Sequence, residues 1–180
     1  MIVKYAQGYG AIAKILHWLV VVMLLGQYSI GWLMPDVHRG PPGTPMGLHI
    51  SLGILILVLV VFRFAWRQAH PVAQDTSLSA WQRNLSELIH WLLYALVLAT
   101  TLSGWLFASA RGWAVSLFFV IPLPMLTSQN SILIHRIDGL HQIMEWALFT
   151  VITVHVGAAL MHQLVYKDRI VQRMWPGKSS

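Results

Sequence analysis

Residues 139–165 form an apolar run long enough to cross a bilayer as one helix, and the run carries His141, His155 and His162. His141 and His155 are fourteen residues apart. On an α-helix that spacing is about 21 Å along the axis and falls only about 40° short of four whole turns. The two imidazoles therefore share one face at two depths, too far apart to hold one metal ion between them. A helix of this kind can serve two metal centres stacked across a membrane, provided neighbouring helices supply the opposing ligands.

The rest of the chain fits a membrane setting. It is 57% hydrophobic and 10% charged, a composition outside the range of ordinary soluble domains. There is no cysteine, which excludes disulfides, cysteine-held iron–sulfur clusters and haem attached through Cys. The formal charge of +6 reads as topology signals and attraction to anionic lipid, so nucleic acid is not an expected partner. Three further apolar runs precede the last, at residues 15–34, 47–66 and 85–110. The first is long for a signal peptide, and its only small-x-small match, at Ser29 and Gly31, lies inside it, so it is read as a span. The link at 35–46 is rich in Pro and Gly, and the link at 67–84 is polar with a helix start expected after Asp75. The longest connection, 111–138, holds an apolar part at 113–126 broken by Pro122 and Pro124, which is expected to be a short interfacial or re-entrant piece. The expected fold is all-α: one domain over residues 1–180, an up-and-down four-helix bundle in the membrane.

Four spans place both termini on one side. That side carries Lys4, Lys14, Arg63, Arg67, Arg83, Lys167, Arg169, Arg173 and Lys178, against Arg39, Arg111 and Arg136 on the other. By the positive-inside rule both termini are expected in the cytoplasm. Tryptophans near the run ends (Trp18, Trp32, Trp66, Trp91, Trp175) suit interfacial belts. With this topology His17 and His155 share an inner level, and His49 and His141 an outer one.

The fourteen-residue spacing recurs. His17 is fourteen from Gly31, His49 from Arg63, and His90 from Gly104. Spans one and three thus carry a glycine at the outer level on the face that carries a histidine at the inner one. A missing side chain lets a flat macrocycle approach the backbone, and Arg63 stands where an inner haem's propionates would lie. Zinc sites gather three or four ligands at one point. Opposed imidazoles on different helices suit two b-type haems, each with two histidine ligands, and bis-histidine ligation favours electron transfer over oxygen binding. Blander readings stand beside this one: Gly31 and Gly104 as helix-packing glycines, Arg63 as a topology charge, His90 and His162 as solvated interfacial residues, and His38, His70 and His135 as loop residues. Glu145, four after His141, has no assigned role.

The stretches Ile15-Leu-His-Trp-Leu, Gly47-Leu-His-Ile-Ser-Leu-Gly, His90-Trp-Leu-Leu-Tyr and Leu140-His-Gln, the His155 and His162 pair, Arg111-Gly-Trp with Pro122-Leu-Pro, and the basic ending 167–177 together resemble the bacterial cytochrome b-561 family over residues 10–177. The resemblance implies a four-helix inner-membrane cytochrome with two b haems, His17 and His155 ligating the cytoplasmic-side one and His49 and His141 the periplasmic-side one. It further implies electron transfer between the periplasmic face and the quinone pool, with superoxide as donor and ubiquinone as acceptor. Arg39, Arg111 and Arg136, against Asp36 and Asp138, would make the outer mouth attractive to an anion. His90, Trp91, His162 and Trp81 are the candidates for a quinone site at the inner end. Two other readings are a membrane-anchor cytochrome subunit serving a partner dehydrogenase or hydrogenase, and a haem-free, histidine-lined transporter or sensor.

Overall fold

The computed structural model describes residues 9–34, 42–72, 78–129, 131–168 and 170–175, with backbone alone at 131, 133 and 135. Asp36, His38, Arg39, Lys4, Asp75, Arg169 and Lys178 lie outside the described residues, as does the His135 side chain. Four long helices appear in order: α1 (Ala11–Leu33), α2 (Thr44–Ala69), α3 (Ala80–Ala110) and α4 (Ser131–Met161). All four are long and apolar enough to cross a membrane. Between α3 and α4 sits a small antiparallel pair, β1 (Ser116–Leu117) with β2 (Ile121–Pro122). A π-helical turn (His162–Tyr166) and a 3-10 turn (Val171–Arg173) follow α4.

Each helix starts before its apolar stretch, while α4 ends at Met161, where the π-helical turn takes over the last four residues of the expected run. Hydropathy marks the part that sits in hydrocarbon, whereas the helix ends where backbone hydrogen bonding stops. The start of α3 is set by Ser79, whose N–H and Oγ–H both reach the Gln82 side-chain oxygen, at 3.0 and 2.7 Å. The largest difference from expectation is at α4, which begins at Ser131 and takes in His135 and Arg136. A polar start is cheap outside the bilayer, so the long connection is shorter than its polarity suggests. His70, expected in a loop, caps the C-terminus of α2 and stacks on Trp66 with ring centroids 4.0 Å apart.

The connection contains a β-hairpin. Phe118 and Phe119 both have positive φ, 49° and 63°, and the Val120 N–H bonds the Leu117 carbonyl at 3.1 Å, the geometry of a tight hairpin turn. Ser51 of α2 pins this hairpin. Its Oγ–H donates to the Gly47 carbonyl at 2.7 Å while its oxygen accepts the Phe118 N–H at 2.8 Å. Phe119 lies directly over Gly47, where a Cβ would sit 2.3 Å from the ring.

The helices pack in chain order, α1 on α2, α2 on α3 and α3 on α4. The chain end returns to the start of the bundle. The Trp18 indole N–H donates to the Met174 carbonyl at 2.9 Å, and the Trp18 and Trp175 rings meet edge to face. Both ends of the described chain thus lie together, at what is called here the terminal end, and the hairpin caps the opposite, loop end. Midway between is a dry core of Val20, Ile56, Val60, Tyr94, Val97 and Leu148, with Leu24 packed against it. Ile56, Val97 and Leu148 each lie seven residues from the two fourteen-spaced positions of their helix, and so does Leu24. Seven residues is nearly two turns. One apolar layer, with a residue from every helix, therefore separates two levels of polar side chains.

A candidate cofactor site with two histidine levels

At the loop-end level stand His49 of α2 and His141 of α4. Each is set against a glycine of a neighbouring helix. A Cβ on Gly31 would stand 3.5 Å from His49 Cε1, and one on Gly104 would stand 2.9 Å from His141 Cε1. A side chain is missing beside each ring, and the space is taken by the imidazole edges themselves. His141 is oriented by α3. The Ser103 hydroxyl spends its proton on the Thr100 carbonyl at 2.9 Å. Its oxygen, 3.0 Å from His141 Nδ1, therefore accepts the Nδ1–H. That leaves the other ring nitrogen as the bare lone pair, the form a metal takes. The Gln27 amide nitrogen bridges the His49 ring Nε2 and the His49 carbonyl, both at 3.1 Å. Neither Ser103 nor Gln27 was visible in sequence reasoning. The cue available for Ser103 was a small polar residue beside Gly104, which hydropathy alone does not pick out.

At the terminal-end level, His17 of α1 and His155 of α4 face each other with ring centroids 6.5 Å apart and planes at 74°. His90 of α3 also approaches His155, at 5.3 Å and 73°. Arg63 of α2 is within electrostatic reach of both His17 and His155. Its guanidinium lies over the Tyr94 ring at 5.6 Å, with that of Arg67 beside it at 5.9 Å. Among the described residues no carboxylate pairs with Arg63. A cation in a membrane-spanning helix is costly without an anion to meet it.

The residues present fit a b-type haem. The 6.5 Å between the His17 and His155 ring centres is spanned by two metal–nitrogen bonds of about 2 Å each once the inner halves of the two rings are added. Among the described residues, four buried polar atoms without a partner fall at the same two levels, His17 Nδ1 and Tyr94 Oη at the terminal end and His49 Nδ1 and Gln27 Oε1 at the loop end, with Thr100 Oγ1 of α3 a further one. Buried polar groups are normally satisfied, so these mark positions where a guest with polar groups would be satisfied. Among the described residues no cluster of three or more His, Cys, Asp or Glu could hold a metal ion.

The four residues expected to form a quinone site are not brought into one contact. His90 points inward to His155. Trp91 packs on Phe64, with centroids 5.7 Å apart, beside an apolar groove of about 210 Å³ lined by Phe64, Trp91, Tyr94, Ala95 and Leu98. Trp81 is exposed near the start of α3. His162 belongs to the π-helical turn, where its Nδ1 meets Asp168 Oδ2 at 2.6 Å and its ring lies 5.2 Å from that of Tyr166. At the loop end, Arg111 lies over the Trp113 ring at 4.7 Å and Arg136 is exposed. The carbonyl of Glu145 accepts the Tyr28 hydroxyl at 2.9 Å.

Comparison with known proteins gives a consistent result. A family model described as prokaryotic cytochrome b561 matches residues 8–177. Over 182 residues the chain is 29% identical to cytochrome b561 homolog 2 of Escherichia coli, covering 97% of this chain and 94% of the relative. It is also 29% identical, over 164 residues, to a probable superoxide oxidase, CybB, of Yersinia pestis, covering 91% and 93%. A cytochrome b562 of Cereibacter sphaeroides is 26% identical over 175 residues, covering 93% and 94%.

Proposed function

Because the chain belongs to the prokaryotic cytochrome b561 family, a family of electron-transfer cytochromes of the bacterial inner membrane, we propose that it carries electrons on two b haems between a donor at the periplasmic face and the quinone pool. His17 and His155 hold one haem at the terminal end, and His49 and His141 hold the other at the loop end. The observation that carries this reading is α4 itself. One helix presents His141 to the Gly104 gap and His155 to His17, at levels separated by the Leu148 layer. When bound, a haem supplies one-electron redox chemistry that no side chain of this chain can provide.

The protein's own part is to hold, orient and exclude. Ser103 fixes the His141 ring by taking its Nδ1–H. Arg63 and the Tyr94 hydroxyl offer a propionate the charge and donor it needs. The layer of Leu24, Ile56, Val97 and Leu148 keeps water from running between the levels. The termini lie in the cytoplasm on the charge asymmetry of the loops.

Superoxide is the donor this reading favours, supported by the name of the Yersinia relative and by Arg111 and Arg136 at the loop end. Two superoxide anions each give up one electron and leave as dioxygen. One ubiquinone takes both electrons and two protons and leaves as ubiquinol. For the quinone, the apolar groove that Trp91 borders with Phe64, Tyr94, Ala95 and Leu98 is the favoured slot. The test is anaerobic mixing of the oxidised, purified protein with a superoxide pulse and a short-chain ubiquinone. The expected result is haem reduction followed by ubiquinol formation at one per two superoxides. Haem that stays oxidised under superoxide, yet is reduced by a copurifying periplasmic subunit, would show instead the membrane-anchor role.

A further inference from the structure

Three imidazoles, not two, converge at the terminal-end level. His155 has the His17 ring at 6.5 Å and the His90 ring at 5.3 Å, both edge to face. The orientation of His90 is set by its own helix. Its Nδ1 lies 2.6 Å from the Ser86 carbonyl oxygen, one turn back. A carbonyl only accepts, so Nδ1 carries the proton and Nε2 is left with a lone pair. His90 is thus a fixed acceptor inside the bundle. Among the described residues no hydrogen bond is made to the His155 ring.

We propose that His90 is the positioning residue of the terminal-end haem: it accepts the ring N–H of His155 and so fixes which His155 nitrogen is presented as the ligand. The bond closes by rotation of the His155 ring toward the His90 lone pair. Histidine ligands of metals almost always donate their second nitrogen to an oriented acceptor, which sets the tautomer and raises the basicity of the ligand. The Ser103 hydroxyl already does this for His141 at the loop end. His90 gives the terminal end its counterpart, with Ser86, His90 and His155 as a chain of donors and acceptors running to the ligand. This inference rests on the reading of His155 as a haem ligand.

The test compares His90→Leu, which removes the acceptor, with His90→Gln, which keeps an acceptor oxygen. Haem per chain, the low-spin electron paramagnetic resonance signals and the two midpoint potentials are measured in each. The loop-end haem certifies that the bundle has assembled. H90L is expected to keep a low-spin terminal-end haem, bound about 10–100-fold more weakly and with a raised potential, because a less basic imidazole stabilises ferric iron less. H90Q should recover most of both. Terminal-end affinity and potential unchanged in H90L overturn the proposal, as does H90Q behaving like H90L. A five-coordinate, high-spin terminal-end haem in H90L also overturns it, since His90 would then be a ligand. If H90L does not assemble, H90M against H90Q makes the same comparison. In a separate His155→Ala variant, a terminal-end haem that survives would overturn the ligand reading itself.

Discussion

At the scale of single residues, the site is defined by where side chains are missing as much as by where they stand. Gly104 and Gly31 occupy equivalent positions in sequence, each fourteen residues after a histidine, yet the structure separates them. A Cβ on Gly104 would lie 2.9 Å from His141 Cε1, closer than real contacts come, whereas one on Gly31 would make an ordinary contact at 3.5 Å with His49. Gly104→Ala is therefore expected to displace His141 and weaken the loop-end haem, seen as a haem count falling toward one per chain. Gly31→Ala should leave two. Equal behaviour of the two variants would show that neither glycine sets the imidazole position. The ligand candidates were legible in sequence because histidine is rare in apolar helices and spacing alone assigns it a face. Ser103, Gln27 and the inward turn of His90 were not, because each depends on which neighbouring helix packs against it.

At the scale of elements, α4 carries the argument, since its fourteen-residue interval sets both levels at once. Inserting one alanine after Leu148 turns one half of the helix by about 100° relative to the other and adds about 1.5 Å. His141 and His155 then cannot both face their partners, and the insertion is expected to leave one haem per chain. Retention of both would show that the pairs do not depend on a common face. The hairpin was the element least legible in sequence. Two prolines and an apolar run gave a short interfacial or re-entrant piece with no stated form, whereas the hairpin is held to α2 by Ser51, which receives the Phe118 N–H. Removing that acceptor by Ser51→Ala takes away a part-buried hydrogen bond, at a cost of about 1 kcal/mol. The variant should unfold at lower temperature and expose the hairpin to protease before the helices.

At the scale of the whole molecule, the bundle is three layers: histidines at each end and a dry slab between. The slab was within reach of the sequence, because Leu24, Ile56, Val97 and Leu148 sit midway between the positions the histidine spacing singles out. Apolar residues are the background of any membrane helix, however, so their alignment gave no signal until packing showed it. Leu148 is only 3% exposed, and Leu148→Ala is expected to destabilise the bundle by about 2–5 kcal/mol, measured by reversible unfolding in detergent. The fold class itself was legible early, from four apolar runs and ten per cent charge, because the bilayer leaves a chain so few ways to satisfy its backbone.

The central claim is that one chain holds two haems on two opposed histidine pairs. The most direct measurement is a reduced-minus-oxidised spectrum of the purified protein with extracted haem counted against protein, on the native chain and on His17→Ala and His49→Ala. The account predicts two b haems in the native chain and one in each variant, with a different potential remaining in each. A native chain with one haem or none, or variants that both keep two, would contradict it.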